Sequence, residues 1–180
     1  MSRRTVWTFL VAGLLSLGTA GSTEAQQTTT LGTIDFPVSV TSAEAKEHFL
    51  KGVMMLHSFE WEDAAEAFQA AQQIEPDFAM AYWGEALSHT TGHHFPAGQN
   101  LAAAREVLSR LAETREERAA KTQTAREKDY LAAVEVLYGP GDAQERALAY
   151  SEAMGQMHQD YPDDFEAATF YALSLMRSVR

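Results

Sequence analysis

The chain has 180 residues, 46% of them apolar and 22% charged, with a formal net charge of −11. That balance describes a chain able to bury a core and not a disordered one. The absence of cysteine excludes disulfides, thiolate metal sites and thiol nucleophiles, and the acidity makes nucleic acid and anionic membrane surfaces poor partners.

Residues 1–25, MSRRTVWTFLVAGLLSLGTAGSTEA, place Arg3 and Arg4 before an apolar run from Val6 to Leu17 and then end in small residues. This is the pattern of a secretory signal peptide cleaved after Ala25. The alternative is an uncleaved anchor, but the run is shorter than the ~20 apolar residues that a spanning helix requires. Removing Arg3, Arg4 and Glu24 takes the formal charge from −11 to −12. The expected location is periplasmic or secreted, with no membrane insertion after cleavage. Residues 26–40, QQTTTLGTIDFPVSV, have little helical periodicity and read as an extended lead-in.

From residue 41 the pattern is helical. Thr41 and Glu44 have capping-box spacing, and Ala45, Phe49, Val53 and Leu56 recur at three and four, which predicts a helix over 42–58. A second is expected over 61–75, carrying the stripe Ala64, Ala67, Phe68, Ala71 and Ile74 and stopped by Pro76. A third follows over 77–91, then a Gly- and Pro-containing loop, GHHFPAGQN, and a fourth helix over 100–113. The charged stretch ETREERAAKTQTAREK reads as a partly helical connection. Thr124 with Glu127 and Asp142 with Glu145 open further helices to Tyr138 and Asp160, and a last helix is expected over 164–178. No segment alternates convincingly with period two, so the expected fold class is all-α, about seven helices with no significant sheet.

An internal repeat is visible at a constant offset of 86 residues. It aligns Pro76 with Pro162, Ala81 with Ala167, Ala86 with Ala172, Leu87 with Leu173 and Ser88 with Ser174. In the first helix pair, Gly52, Ala64, Phe68, Ala71 and Pro76 are separated by 12, 4, 3 and 5 residues. Small residues at Gly52, Ala64 and Ala71 let two antiparallel helices approach closely, Phe68 fills the space between them, and Pro76 ends the second helix. These residue types at these spacings resemble the tetratricopeptide repeat, a helix-turn-helix unit of about 34 residues. The wider resemblance, in LHSFEWEDAAEAF and DFAMAYWGEALS, is to exported bacterial tetratricopeptide proteins of unassigned activity. It implies a right-handed α-solenoid of antiparallel helix pairs over 41–180, with repeats at about 45–78, 79–121 and 124–162 and a partial one from 165. That partial repeat lacks its second helix, so the expectation is either a portion of a longer protein or a face that pairs with another molecule.

The resemblance also implies a concave groove lined by the first helix of each repeat. Its positions fall on Lys46, Phe49, Val53, Leu56 and His57 in the first repeat, and on Met80, Trp83, Leu87, Thr90 and Thr91 in the second. Such a groove suits a protein or peptide, or an extended segment of the same chain; the bland alternative is that its apolar members are core. Trp83 is the expected exposed anchor. Glu85, His89 and His93 are four apart and on a continuous helix would present a carboxylate and two imidazoles to zinc or copper, although Gly92 and Pro96 break that helix and H-E-x-x-H is absent. No nucleophile triad, phosphate loop or nucleotide fingerprint occurs, so no catalytic residue and no cofactor is assigned. The leading expectation is an exported scaffold binding a protein or peptide. The alternatives are a periplasmic metal-binding protein and a structural repeat that self-associates through its C-terminal helix face.

Overall fold

The computed structural model describes residues 32–90 and 100–178. They form α1 (Ala43–His57), α2 (Trp61–Ile74), α3 (Ala79–Ser88), α4 (Leu101–Leu111), α5 (Arg115–Ala120), α6 (Ala125–Leu137), α7 (Ala143–Asp160) and α8 (Phe165–Ser178), with no strand among the described residues. The fold is all-α. The signal-peptide segment, Thr91 and the loop residues 92–99, His93 among them, lie outside the described residues.

Local chemistry sets most of the boundaries. Thr124 with Glu127 and Asp142 with Glu145 form complete capping boxes at the starts of α6 and α7. The eighth helix, beyond the seven expected, is α5, which a third box opens: the Thr114 hydroxyl accepts from the Glu117 N–H and the Glu117 carboxylate accepts from the Thr114 N–H. The expected box at Thr41 and Glu44 does not form. Ser42 caps α1 by accepting from the Ala45 N–H, while the Thr41 N–H, the Thr41 hydroxyl and the Ser42 N–H all donate to the Glu75 carboxylate. The start of α1 is thereby tied to the end of α2. Between these helices the chain reverses at Phe59, whose φ is 62°. Its N–H donates to the Leu56 carbonyl and the Glu60 N–H to the Met55 carbonyl, a Schellman pairing in a position that usually carries glycine.

Consecutive helices pack as neighbours from α1 to α4 and from α6 to α8, and α3 also packs on α1 and α6. The α1–α2–α3 contact turns on Phe68, which is fully buried. A Cβ at Gly52 would stand 2.8 Å from its ring and one at Gly84 2.3 Å, so two glycines on different helices clear its seat. Ala64, Ala71, Ala81, Ala86 and Ala167 are buried at the expected close approaches. Pro76 and Pro162 are exposed at corners related by the offset of 86. The Phe78 N–H donates to the Glu75 carbonyl and the Asp164 N–H to the Tyr161 carbonyl, each at 3.0 Å, and α3 and α8 begin 86 residues apart. One expectation is corrected: Ala172 is exposed although its counterpart Ala86 is buried. Helix α3, which carries Ala86, packs on α1, α2, α4 and α6, whereas α8, which carries Ala172, has its main packing on α7 among the described residues.

Candidate functional site

Helices α1, α3, α6 and α8 converge on one cluster of aromatic rings. Phe49 comes from α1, Trp83 from α3, Tyr130 from α6 and Phe170 from α8; each is at most 4% exposed. Trp83 meets Tyr130 and Phe170 edge-on at 5.3 Å from each ring centre. Such pairs add about 0.5–1.5 kcal/mol each beyond their burial. The C-terminal helix is tied back to the first by His57, whose Nε2 lies 2.6 Å from Glu166 and whose ring sits 5.3 Å from Phe170.

The centre of the cluster is filled by the lead-in. Phe36 is 1% exposed, with its ring centre 5.3 Å from that of Phe49, 5.6 Å from Trp83 and 5.1 Å from Tyr130. The Arg126 guanidinium covers its face at 4.5 Å. Ile34, Val38 and Val40 pack against the same core, whereas Thr33, Asp35 and Pro37 are exposed. That is the period-two alternation of an extended chain lying on an apolar surface. Its main chain is held as well: Arg126 Nη1 donates to the Pro37 carbonyl at 2.8 Å and the Ser39 N–H donates to Glu127. Glu127 is the capping glutamate of α6, so one buried carboxylate both starts that helix and receives the segment.

The placement of the expected groove residues follows from this. Phe49, Val53, Leu56, Met80, Trp83 and Leu87 are all buried; Phe36 of the lead-in packs on Phe49 and Trp83, and Phe170 of α8 on Trp83. Lys46 is exposed on α1 and takes no part in the cluster. Thr90 is buried and its hydroxyl lies 2.7 Å from that of Tyr138. Trp83, expected as an exposed anchor, is 1% exposed, and its indole N–H has no hydrogen-bond acceptor among the described residues. Phe36, Tyr130, Arg126 and Glu127 were not singled out as site residues. The signal for Phe36 is the alternation Ile34, Phe36, Val38, Val40; the other three are reached only through contacts some ninety residues apart in the chain.

Glu85, a candidate ligand in the alternative metal-binding reading, is 2% exposed and engaged by protein donors. Gln69 Nε2 donates to one oxygen at 2.8 Å, and Gln72 Nε2 at 2.7 Å and Arg110 Nη2 donate to the other. His89 follows the end of α3, half-buried; burial lowers its imidazole below the ordinary value of 6.5, against the attraction of Glu85. Among the described residues no group of three His, Asp or Glu side chains is placed to hold a metal ion. No helix of the described residues is long and apolar enough to cross a membrane. Comparison with protein-family profiles, curated proteins and solved structures finds no match to this chain.

Proposed function

We propose that residues 41–180 form a right-handed tetratricopeptide-like solenoid that holds an extended protein or peptide segment against its inner face, in an exported protein. The observation that carries this reading is the seat of residues 34–40. Alternate side chains enter apolar positions, a central phenylalanine fills a box of three aromatic rings, and main-chain groups on either side of Val38 are bonded by Arg126 and Glu127. Peptide recognition in general divides its work in this way, with main-chain bonds supplying affinity and side-chain pockets supplying selectivity. The lead-in is then a built-in occupant, and a partner segment of the same pattern enters when it is displaced.

The test is fluorescence anisotropy with a labelled peptide of residues 32–42 added to the full chain. Phe36→Ala protein is expected to bind it about tenfold more tightly than the natural chain, because its own segment competes less well, and a peptide with alanine at the Phe36 position is expected not to bind. Absence of binding to the Phe36→Ala protein sinks the groove assignment.

A second reading, self-association through α8, is favoured by its outer side, where Phe165 is 85% exposed and Met176 73%. A monomeric mass at high micromolar concentration counts against it.

A further inference from the structure

A cleft of about 530 Å3 lies between α4, α5, the C-terminal end of α6 and the first turns of α7. Its walls carry Arg105, Arg115, Arg118 and Arg146, four of only 14 basic residues in a chain of net charge −11. Three carboxylates share the lining. Glu135, 8% exposed, is held from both sides by Arg115 Nε at 2.8 Å and Arg118 Nε at 2.5 Å. Glu145 accepts from the Asp142 N–H at 2.8 Å, and Glu113 is exposed on the rim side of the α4–α5 connection. Four guanidinium groups and three carboxylates thus share the lining of one cleft on an acidic molecule.

The arginines are already fixed. Arg105 donates through Nε to the Tyr138 carbonyl at 2.7 Å and through Nη2 to the Gly139 carbonyl at 2.6 Å. Arg118 Nη1 donates to the carbonyls of Ala112 and Glu113, and Arg146 Nη1 donates to that of Gly141. Neutralising the carbonyl end of α6 is a structural role for Arg105, but it does not use the whole fork. Arg105 Nη1, both Nη atoms of Arg115 and Arg118 Nη2 make no hydrogen bond among the described residues. A guanidinium held by its Nε edge loses little rotamer freedom when its remaining N–H groups meet a ligand. Between these donors the wall is apolar, with Leu108, Val136, Pro140 and Ala149. The volume is that of a small-molecule site.

We propose that this cleft binds a small organic oxyanion: a carboxylate or phosphate head taken by the free edges of Arg115, Arg118 and Arg105, with a compact apolar body against Leu108 and Val136. It is independent of the aromatic groove and of the peptide reading.

The test is calorimetric titration of the full chain with phenyl phosphate, benzoate and phenol. At least one of the two anions is expected to bind saturably with one-to-one stoichiometry, the tighter of them naming the head group, and phenol is expected not to bind. Arg115 is the probe residue because its side chain is 55% exposed and Glu135 keeps Arg118 without it. Arg115→Ala is expected to weaken binding about tenfold. Arg115→Lys, which keeps the charge but loses the fork, is expected to weaken it as well, both variants retaining the natural helical circular dichroism. The proposal is overturned if neither anion saturates at millimolar concentration, if phenol binds as well as the anions, or if Arg115→Ala binds like the natural chain.

Discussion

The ring of Phe68 occupies the place where a side chain at Gly84 would begin: a Cβ there would lie 2.3 Å from Phe68 Cζ. Alanine at position 84 would gain about 1 kcal/mol of helix propensity, yet the ring it displaces is fully buried and backed by Gly52 on the other side. Overpacking of this kind costs about 1–3 kcal/mol. Gly84→Ala is therefore expected to lower the unfolding free energy in urea, and Gly52→Ala, whose clash begins at 2.8 Å, to lower it less. If Gly52→Ala proves the more damaging, Phe68 is not seated between the two glycines as described.

Glu85 gathers Gln69, Gln72 and Arg110 around a carboxylate that water does not reach. Removing the carboxylate leaves Gln72, itself 6% exposed, without that acceptor, while Arg110, 43% exposed in its side chain, can turn to solvent. Glu85→Ala is expected to cost about 1.5–3 kcal/mol, the range for hydrogen bonds to a charged group. Glu85→Gln is expected to cost less, because it keeps one acceptor oxygen. Thermal unfolding of the two variants checks the order, and an Ala variant as stable as the natural chain would remove Glu85 as the organiser of the α2–α3–α4 contact.

The helices could be placed from the sequence because their ends are written in local chemistry. Pro76 and Pro162 stop α2 and α7 one residue beyond their C-caps, and the boxes at Thr124 and Asp142 start α6 and α7. The short α5 was readable by the same rule, in Thr114 and Glu117, but was masked by the charge around it. Gly84 was readable too, since a glycine in the interior of a helix asks for a close neighbour. What local pattern does not carry is which face of α1 and α3 meets solvent. The periodicity of Phe49, Val53, Met80 and Trp83 is the same whether a groove stands open in front of them or is filled. Only the return of α8 onto α1 through His57 and Glu166, and the insertion of Phe36, decide it. The alternation of Ile34, Phe36, Val38 and Val40 is too short, and too interrupted by Pro37, to separate an inserted segment from a tail.

Stability is expected to fall in two pH windows. The first belongs to His89. Its folded value is depressed by burial, so the unfolded chain takes up the proton more readily, and the contribution present above pH 6.5 is lost as pH drops beneath it. The second belongs to Asp164 and Glu75. Burial raises both carboxyls, but donors outweigh it: Arg126, the Ala167 N–H and Tyr130 for Asp164, and the Ser42 N–H and Thr41 for Glu75. Each is held below its ordinary value, so this contribution is complete above the ordinary carboxylate range and lost as pH falls through the depressed folded values. Melting temperature measured downward from neutral pH is expected to show both descents. His89→Gln should flatten the upper one, and Asp164→Asn should make the lower one shallower while reducing stability at neutral pH. An unchanged upper descent in His89→Gln would assign it to another group.

Phe36 decides whether the lead-in is a guest of the helical domain or part of its core. Its ring is enclosed as completely as that of Phe49 or Phe68, and truncation of a buried phenylalanine costs about 3–5 kcal/mol. The rest of its seat does not depend on the ring, because Arg126 holds the Pro37 carbonyl, Glu127 the Ser39 N–H and Glu75 the Thr41 N–H through other atoms. The α1–α2–α3 packing on Phe68, whose ring centre is 5.7 Å from that of Phe49, keeps its own glycine-cleared contacts. The loss in Phe36→Ala is accordingly expected to be local. Amide hydrogen exchange should accelerate over residues 34–40 while the amides of α2 and α3 keep most of their protection. Parallel loss of protection in α2 and α3 would make the segment an integral core strand of chain, and a replaceable occupant of the inner face would no longer be tenable.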